Sequence, residues 1–167
     1  MSETTTNTTK STSEIVIRPA VFKDADAIAT ILWRSRTEAM PWLRVVHSAL
    51  EMRGWVARTL LKKEDVYVAT REGRVVGFAS VTPGWLTQLY VHPASQRSGV
   101  GTMLLAQARR RLPDGFHFWV FQRNLAARAF YEKHGATLLR ETDGQSNEER
   151  EPDAEYEWRP VARVCDP

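Results

Sequence analysis

Trp85-Leu86-Thr87-Gln88-Leu89-Tyr90-Val91-His92-Pro93, followed after Ala94-Ser95 by Gln96-Arg97-Ser98-Gly99-Val100-Gly101, is the stretch on which the fold turns. Residues 85–91 read as a strand, the glycine-containing segment as a tight turn, and the run from about Thr102 as a helix. Glycines let the backbone turn sharply and approach a ligand closely. The unpaired N–H groups of a first helical turn, at the positive end of the helix dipole, suit phosphate oxygens. Strand, turn and helix start in this order predict an anion cradle. Glycine pairs alone are common, so the downstream motif Asn124 through Gly135 carries equal weight.

Working outward, Ile15-Val16-Ile17-Arg18-Pro19 is a short strand closed by proline, and Asp24 or Asp26 can cap a helix bearing Ile28, Ile31 and Leu32 at helical spacing. Met40-Pro41-Trp42 ends that helix, because the residue before proline avoids the helical region. A second helix is predicted from about Ser48 to Lys62, offering Leu50, Trp55, Leu60 and Leu61 for burial. Strands at Val66–Ala69 and Val75–Val81 flank the hairpin turn Arg71-Glu72-Gly73-Arg74. Beyond the cradle, Leu104, Leu105, Ala108 and Leu112 mark the inner face of a helix, and Phe116–Phe121 reads as a buried strand. Asn124 can cap a helix carrying Ala127, Phe130 and Tyr131, which Gly135 terminates. Ala136–Arg140 and Ala154–Trp158 close a mixed α/β domain with a largely antiparallel sheet.

The chain has 167 residues, enough for one domain with a real core. Residues 1–13, rich in Thr, Ser and Asn, read as a disordered tail, residues 14–160 as the domain and 161–167 as a C-terminal tail. The single cysteine, Cys165, excludes a disulfide framework and a Cys-based metal site within one chain, and reads as an exposed spare thiol. Without a 20-residue apolar run or a signal-peptide core, a cytoplasmic setting is expected. Formal net charge is only +3. Yet residues 97–140 hold eight basic side chains against two acids, and residues 141–157 hold eight acids against Arg150. That asymmetry predicts either separate anion- and cation-binding faces or two solvated surfaces.

The two motifs resemble the GNAT acyltransferase superfamily, over about Ile15 to Arg159. Leu89-Tyr90-Val91-His92-Pro93 with Gln96-x-x-Gly99-x-Gly101 is similar to the family's strand and cradle. Asn124-x-x-Ala127-x-x-Phe130-Tyr131-Glu132-Lys133-x-Gly135 is similar to its second cofactor motif. The resemblance implies the GNAT fold, with a mixed sheet of six or seven strands flanked by about four helices. It also implies a domain that uses acetyl-coenzyme A as co-substrate, with no metal. By position, the amides of Arg97, Ser98, Gly99, Val100, Gly101 and Thr102, introduced by Gln96, would hold the pyrophosphate. A bulge in the preceding strand would open a gap in which the backbone of Leu89, Tyr90 and Val91 pairs with the pantetheine arm. Asn124, Ala127 and Phe130 would line the same cofactor site, and Arg128 and Lys133 are candidates for the adenosine 3′-phosphate. Tyr131 would be the general acid towards the cofactor sulfur, since a phenol near 10 can protonate a thiolate near 8.5.

The acceptor side is expected at the first two helices and the loop before the last strand, where Trp42, His47, Trp85, Glu149, Glu151 and Asp153 combine aromatic faces with carboxylates suited to a cationic amine. The general base is open among Glu38, His47, Glu51 and the Glu148–Asp153 loop; Gln88 cannot serve. The resulting expectation is an N-acetyltransferase acting on the primary amine of a small molecule by direct transfer in a ternary complex. Alternatives are acetylation of a protein amine or charged tRNA, and a non-catalytic acyl-CoA-binding regulatory module. Homodimerisation stays open, and neither membrane nor nucleic acid is an expected partner.

Overall fold

The computed structural model describes residues 14–161, so the two tails and Cys165 lie outside the described residues. Seven strands form one sheet in the order β1-β2-β3-β4-β5-β7-β6. They are β1 (Ile15–Pro19), β2 (Asp65–Arg71), β3 (Arg74–Thr82), β4 (Trp85–Val91), β5 (Phe116–Phe121), β6 (Thr137–Glu141) and β7 (Asp153–Trp158). Every neighbouring pair is antiparallel except β4 and β5, which run parallel. The helices are α1 (Ala25–Glu38), α2 (Ala49–Trp55), α3 (Leu61–Lys63), α4 (Val100–Arg111) and α5 (Leu125–Lys133). A π turn, Val56–Leu60, makes α2 and α3 one continuous body, which the sequence predicts as a single helix.

Strand alternation assigns each helix its face. In β2, Val66 and Val68 face α1 and α2, while Ala69 faces α4; in β3, Phe78 and Ala79 divide the same way. Ile28, Ile31, Leu32, Met52, Val56 and Leu60 fill one layer, and Leu104, Leu105, Ala108, Phe116, Phe118 and Tyr156 fill the other. Each fully buried Leu, Ile or Phe contributes roughly 1.5–3 kcal/mol. Leu50, offered above for burial, is instead 77% exposed: Met52, Val56 and Leu60 form the inner stripe of the α2–α3 body and leave Leu50 on its outer side.

Three local expectations also change. Asp24 does not cap α1; its carboxylate accepts from Val21 N–H at 2.8 Å and pairs bidentately with Arg18 at 2.7 and 2.9 Å. Asp26 lies on the surface, paired with Arg53. The charge asymmetry along the chain is partly cancelled in the fold: Arg128 pairs with Glu141, Arg140 with Glu155 and Arg123 with Glu151.

Candidate active site

β4 and β5 share one register pair, Trp85 with His117, and then diverge. The cause lies on the other side of β4. Its register with β3 slips between Ser80 and Val81, leaving Thr87 as an extra residue, and such a bulge bends and twists its strand. Thr87 Oγ1 is tied to Ser80 O at 3.0 Å, to Ser80 Oγ at 2.7 Å and to the Glu64 carboxylate. The bulge that the family resemblance implies is therefore present, and side chains from two other elements hold it.

The divergence opens a cleft of about 450 Å³, lined in part by Leu89, Tyr90, Phe118, Asn124, Ala127 and Tyr131. Register decides which backbone groups face it. His92 N–H donates to Val76 O at 2.9 Å, which fixes Phe78/Tyr90 and Ser80/Gln88 as hydrogen-bonded pairs further along the ladder. Leu89 and Val91 then turn their N–H and C=O away from β3. Val91 O is taken up by Ser35 Oγ at 3.1 Å and Gln96 Nε2 at 3.4 Å, leaving Leu89 and the Val91 N–H towards the cleft. Tyr90, expected to act through its backbone, has that backbone engaged with Phe78. Its ring stacks on Phe78 at 5.9 Å.

At the end of the cleft, Gly99 in the left-handed region (φ 84°) caps α4, and Arg97 also has positive φ (58°). This turn aims the first amides of α4 outwards as an anion cradle requires. Val100 anchors the helix in the core, and Gly101 faces the Phe130 ring, with a hypothetical Cβ 3.5 Å from it. Ser98 Oγ donates to Ser95 O at 2.6 Å and accepts from Arg71 Nη2 at 2.9 Å. Sequence reasoning misses Arg71, because it arrives from the end of β2. Thr102 Oγ1 meets His134 Nε2 at 3.3 Å. Arg128 is not available for a phosphate: it is bound to the Tyr156 hydroxyl at 2.9 Å and to Glu141.

Tyr131 is 8% exposed and packs on Phe118 at 4.2 Å and edge-on to Phe130 at 5.1 Å. Its hydroxyl makes no hydrogen bond among the described residues, and the residue lines the cleft. Burial, aided by Tyr90, pushes its pKa above the ordinary phenol value and keeps the proton on the oxygen. Asn124 caps α5 by accepting from Ala127 N–H at 3.1 Å, and its amide reaches Met40 Sδ at 3.4 Å.

A second cavity, of about 370 Å³, lies between α1, the α1–α2 linker, α2 and the β6–β7 loop. Two contacts tie the loop over it: the ion pair of Arg36 with Glu149, and a hydrogen bond between His47 Nε2 and the Glu148 carboxylate at 2.8 Å. Gln88 and Glu149 line both cavities. Of the acceptor-side residues expected from sequence, His47 and Glu149 line this second cavity and Asp153 lines the cleft. Trp42, Trp85 and Glu151 lie in neither wall. Trp42 backs Phe121 edge-on at 6.2 Å, Trp85 packs at a tilt against His117 at 5.3 Å where the cleft closes, and Glu151 faces Arg123. Among the candidate bases, Glu38 is engaged by Arg34 and Glu51 by the N-terminus of α2, where it accepts from Ser48 N–H at 2.7 Å.

The cradle, the free strand edge and the buried phenol fit an acyl-coenzyme A. Among the described residues no group of three His, Cys, Asp or Glu could hold a metal ion, and no helix is long and apolar enough to cross a membrane. Residues 62–135, which span both motifs, match the family model of an acetyltransferase (GNAT) domain. The peptidyl-lysine N-acetyltransferase YiaC of Escherichia coli K12 is 26% identical over 125 residues, 74% of this chain and 84% of YiaC. The apo form of YjaB from Escherichia coli superposes with a TM-score of 0.72 at 23% identity, covering 86% of this chain and 97% of that one. The protein yncA of Salmonella typhimurium, solved with its cofactor acetyl-CoA, superposes with a TM-score of 0.68 at 21% identity, covering 93% of this chain and 99% of that one. By these matches residues 62–135 carry a GNAT acetyltransferase domain, and the protein is an acyltransferase that takes acetyl-coenzyme A as its co-substrate.

Proposed function

We propose that the protein transfers the acetyl group directly to the primary amine of a small molecule, with donor and acceptor bound together. The observation that carries this reading is the meeting of the two cavities at Gln88 and Glu149. A donor in the β4–β5 cleft and an amine in the second cavity would touch there without any covalent enzyme intermediate. The clasp of the β6–β7 loop over the second cavity supports a small acceptor.

Acetyl-coenzyme A supplies the acetyl group as an activated thioester. The amides from Arg97 to Thr102 bind its pyrophosphate, and the N–H groups of Leu89 and Val91 are placed to bind the arm and polarise the acyl carbonyl. Tyr131 Oη holds the proton destined for the departing sulfur, and burial keeps it there at neutral pH. Glu149, the carboxylate that lines both cavities, orients the ammonium and receives its proton, while Arg36 fixes its position. Thiol release should depend on an added amine and fall in Glu149→Gln. A protein that binds acetyl-coenzyme A by calorimetry yet releases no thiol with any amine would instead be a regulatory module.

A second reading, acetylation of a protein amine, draws on the activity named for YiaC and on the exposed apolar lip of the second cavity, where Val45 is 59% exposed. Lysine-containing peptides that outcompete free amines in the same assay would favour it.

A further inference from the structure

We propose that Arg71 is a positioning residue for the phosphate cradle. From the end of β2 it holds Ser98, and with it the amides from Arg97 to Thr102, in the geometry that receives the pyrophosphate of acetyl-coenzyme A. This deepens the donor-binding reading above and rests on it.

The turn that makes the cradle needs support. Arg97 and Gly99 both lie in the left-handed region, at φ 58° and 84°, with Ser98 between them. Glycine adopts that conformation freely, but an arginine keeps it only where surrounding contacts impose it. Those contacts converge on Ser98. Its hydroxyl donates to Ser95 O at 2.6 Å, which closes the loop on itself, and accepts from Arg71 Nη2 at 2.9 Å. The charged donor makes this second bond the stronger kind, and it holds the hydroxyl in the orientation that the first bond requires. Nη2 also lies 3.5 Å from Ser98 O, too far to add much.

The charge of Arg71 is otherwise unmatched. Arg18, Arg36, Arg53, Arg111, Arg128 and Arg140 each meet a carboxylate. Among the described residues Arg71 meets only Ser98, and Glu72, next to it in the hairpin turn, does not pair with it. Its Nε is buried without a hydrogen-bond partner. Arg74 stands directly opposite it in the β2–β3 ladder, where like charges repel. Positive charge from β2, β3 and the N-terminus of α4 therefore gathers around one loop, and a bound anion relieves that repulsion. In the sheet β3 and β4 stand between β2 and the β4–β5 cleft, and Arg71 is absent from the cleft wall. It acts through Ser98 and through its field, without touching the pantetheine arm.

The test is titration calorimetry of coenzyme A and of 3′-dephospho-coenzyme A against Arg71→Ala, Arg71→Lys, Ser98→Ala and Gly99→Val, with the Tm of each variant read by scanning calorimetry. Loss of one charge-assisted hydrogen bond predicts a Kd about tenfold higher in Arg71→Ala for both ligands, because both carry the pyrophosphate. Ser98→Ala should raise Kd about threefold, and Arg71→Lys, which keeps the charge and a donor, should recover part of the loss. The double variant Arg71→Ala/Ser98→Ala should bind no more weakly than Arg71→Ala alone, since the two residues act as a unit. A lowered Tm with an unchanged Kd in Arg71→Ala would overturn the inference and leave Arg71 a stabiliser of the fold. A loss confined to coenzyme A would overturn it too, placing Arg71 on the 3′-phosphate, and additive losses in the double variant would detach Arg71 from Ser98. Should Arg71→Ala not fold, Ser98→Ala decides, an unchanged Kd counting against the inference. Gly99→Val probes the cradle itself, because a β-branched residue is an outlier at φ 84°. Weakened binding in Gly99→Val beside an unaffected Arg71→Ala would sink this inference alone; unchanged Kd values in both would sink the cradle reading with it.

Discussion

Replacing Gly77 by alanine links packing to cofactor binding in one measurement. Gly77 lies in β3 beneath the first turn of α4, and a methyl group there would stand 2.9 Å from Val100 Cγ1, 3.1 Å from Leu104 Cδ1 and 3.1 Å from the Tyr90 carbonyl oxygen. None of these gives way easily: valine is held by its β-branch, Leu104 is fully buried, and the carbonyl belongs to the ladder between β3 and β4. Restoring ordinary carbon–carbon separation of about 3.5–4.0 Å requires a shift on the order of 0.5–1 Å. Overpacking of this kind costs about 1–3 kcal/mol. For a chain of this size each kcal/mol lowers Tm by about 2–4 °C, so the expected loss is about 2–12 °C. Val100 is the first residue of α4, and its displacement moves the cradle amides directly. Acetyl-coenzyme A should bind about 3- to 10-fold more weakly, up to the equivalent of 1.4 kcal/mol. Differential scanning calorimetry and titration calorimetry read the two effects. An unchanged Tm with an unchanged Kd would refute the packing argument; a lowered Tm with an unchanged Kd would refute the transmission from core to cradle.

Tyr131→Phe should lower kcat by about 10²–10⁴-fold while leaving the acetyl-coenzyme A Kd unchanged, and stopped-time thiol release with calorimetry separates the two. Because burial raises the Tyr131 pKa, the unaltered enzyme should show no alkaline decline from this group below about pH 10; a decline near pH 8 that disappears in the phenylalanine variant would contradict its environment. Thr87→Val removes the hydroxyl that ties the β4 bulge to Ser80 and Glu64, and should weaken acetyl-coenzyme A binding by more than it lowers Tm would suggest; equal Kd values would show that the bulge holds without its clamp. The hydrogen-bonded Arg18 holds the Asp24 carboxyl below its ordinary range. Its contribution is therefore complete above the unfolded value near 4 and is lost as pH falls through the folded value. Asp24→Asn should cost about 1–3 kcal/mol at pH 7 and flatten the acid limb of a stability profile, and a parallel acid limb in the variant would reassign that loss to other carboxylates.

Both motifs are local in sequence, and so is the structure they encode. Trp85–Val91 and Phe116–Phe121 fall where alternation places them, Asn124 caps its helix, and the glycine turn before α4 forms where its residues require positive φ. The acceptor side has no such local signature. Trp42 and Trp85 carry the composition of a binding site, but their neighbours Phe121 and His117 come from a strand far along the chain. Leu50 fits a helical stripe on paper and faces solvent, because the π turn and the packing of Met52, Val56 and Leu60 set the rotation of that helix.

By itself the sequence determined the strand–cradle–helix unit, the second motif and hence the donor, since capping, glycine turns and strand alternation act over a few residues. Only the tertiary structure decided that Arg71 reaches Ser98, that Arg128 is engaged by Tyr156 and Glu141, and that Glu149 sits where the two cavities meet. Those pairings join residues 13 to 113 positions apart, and whether a charge is free or matched is settled by the partner that folding delivers to it.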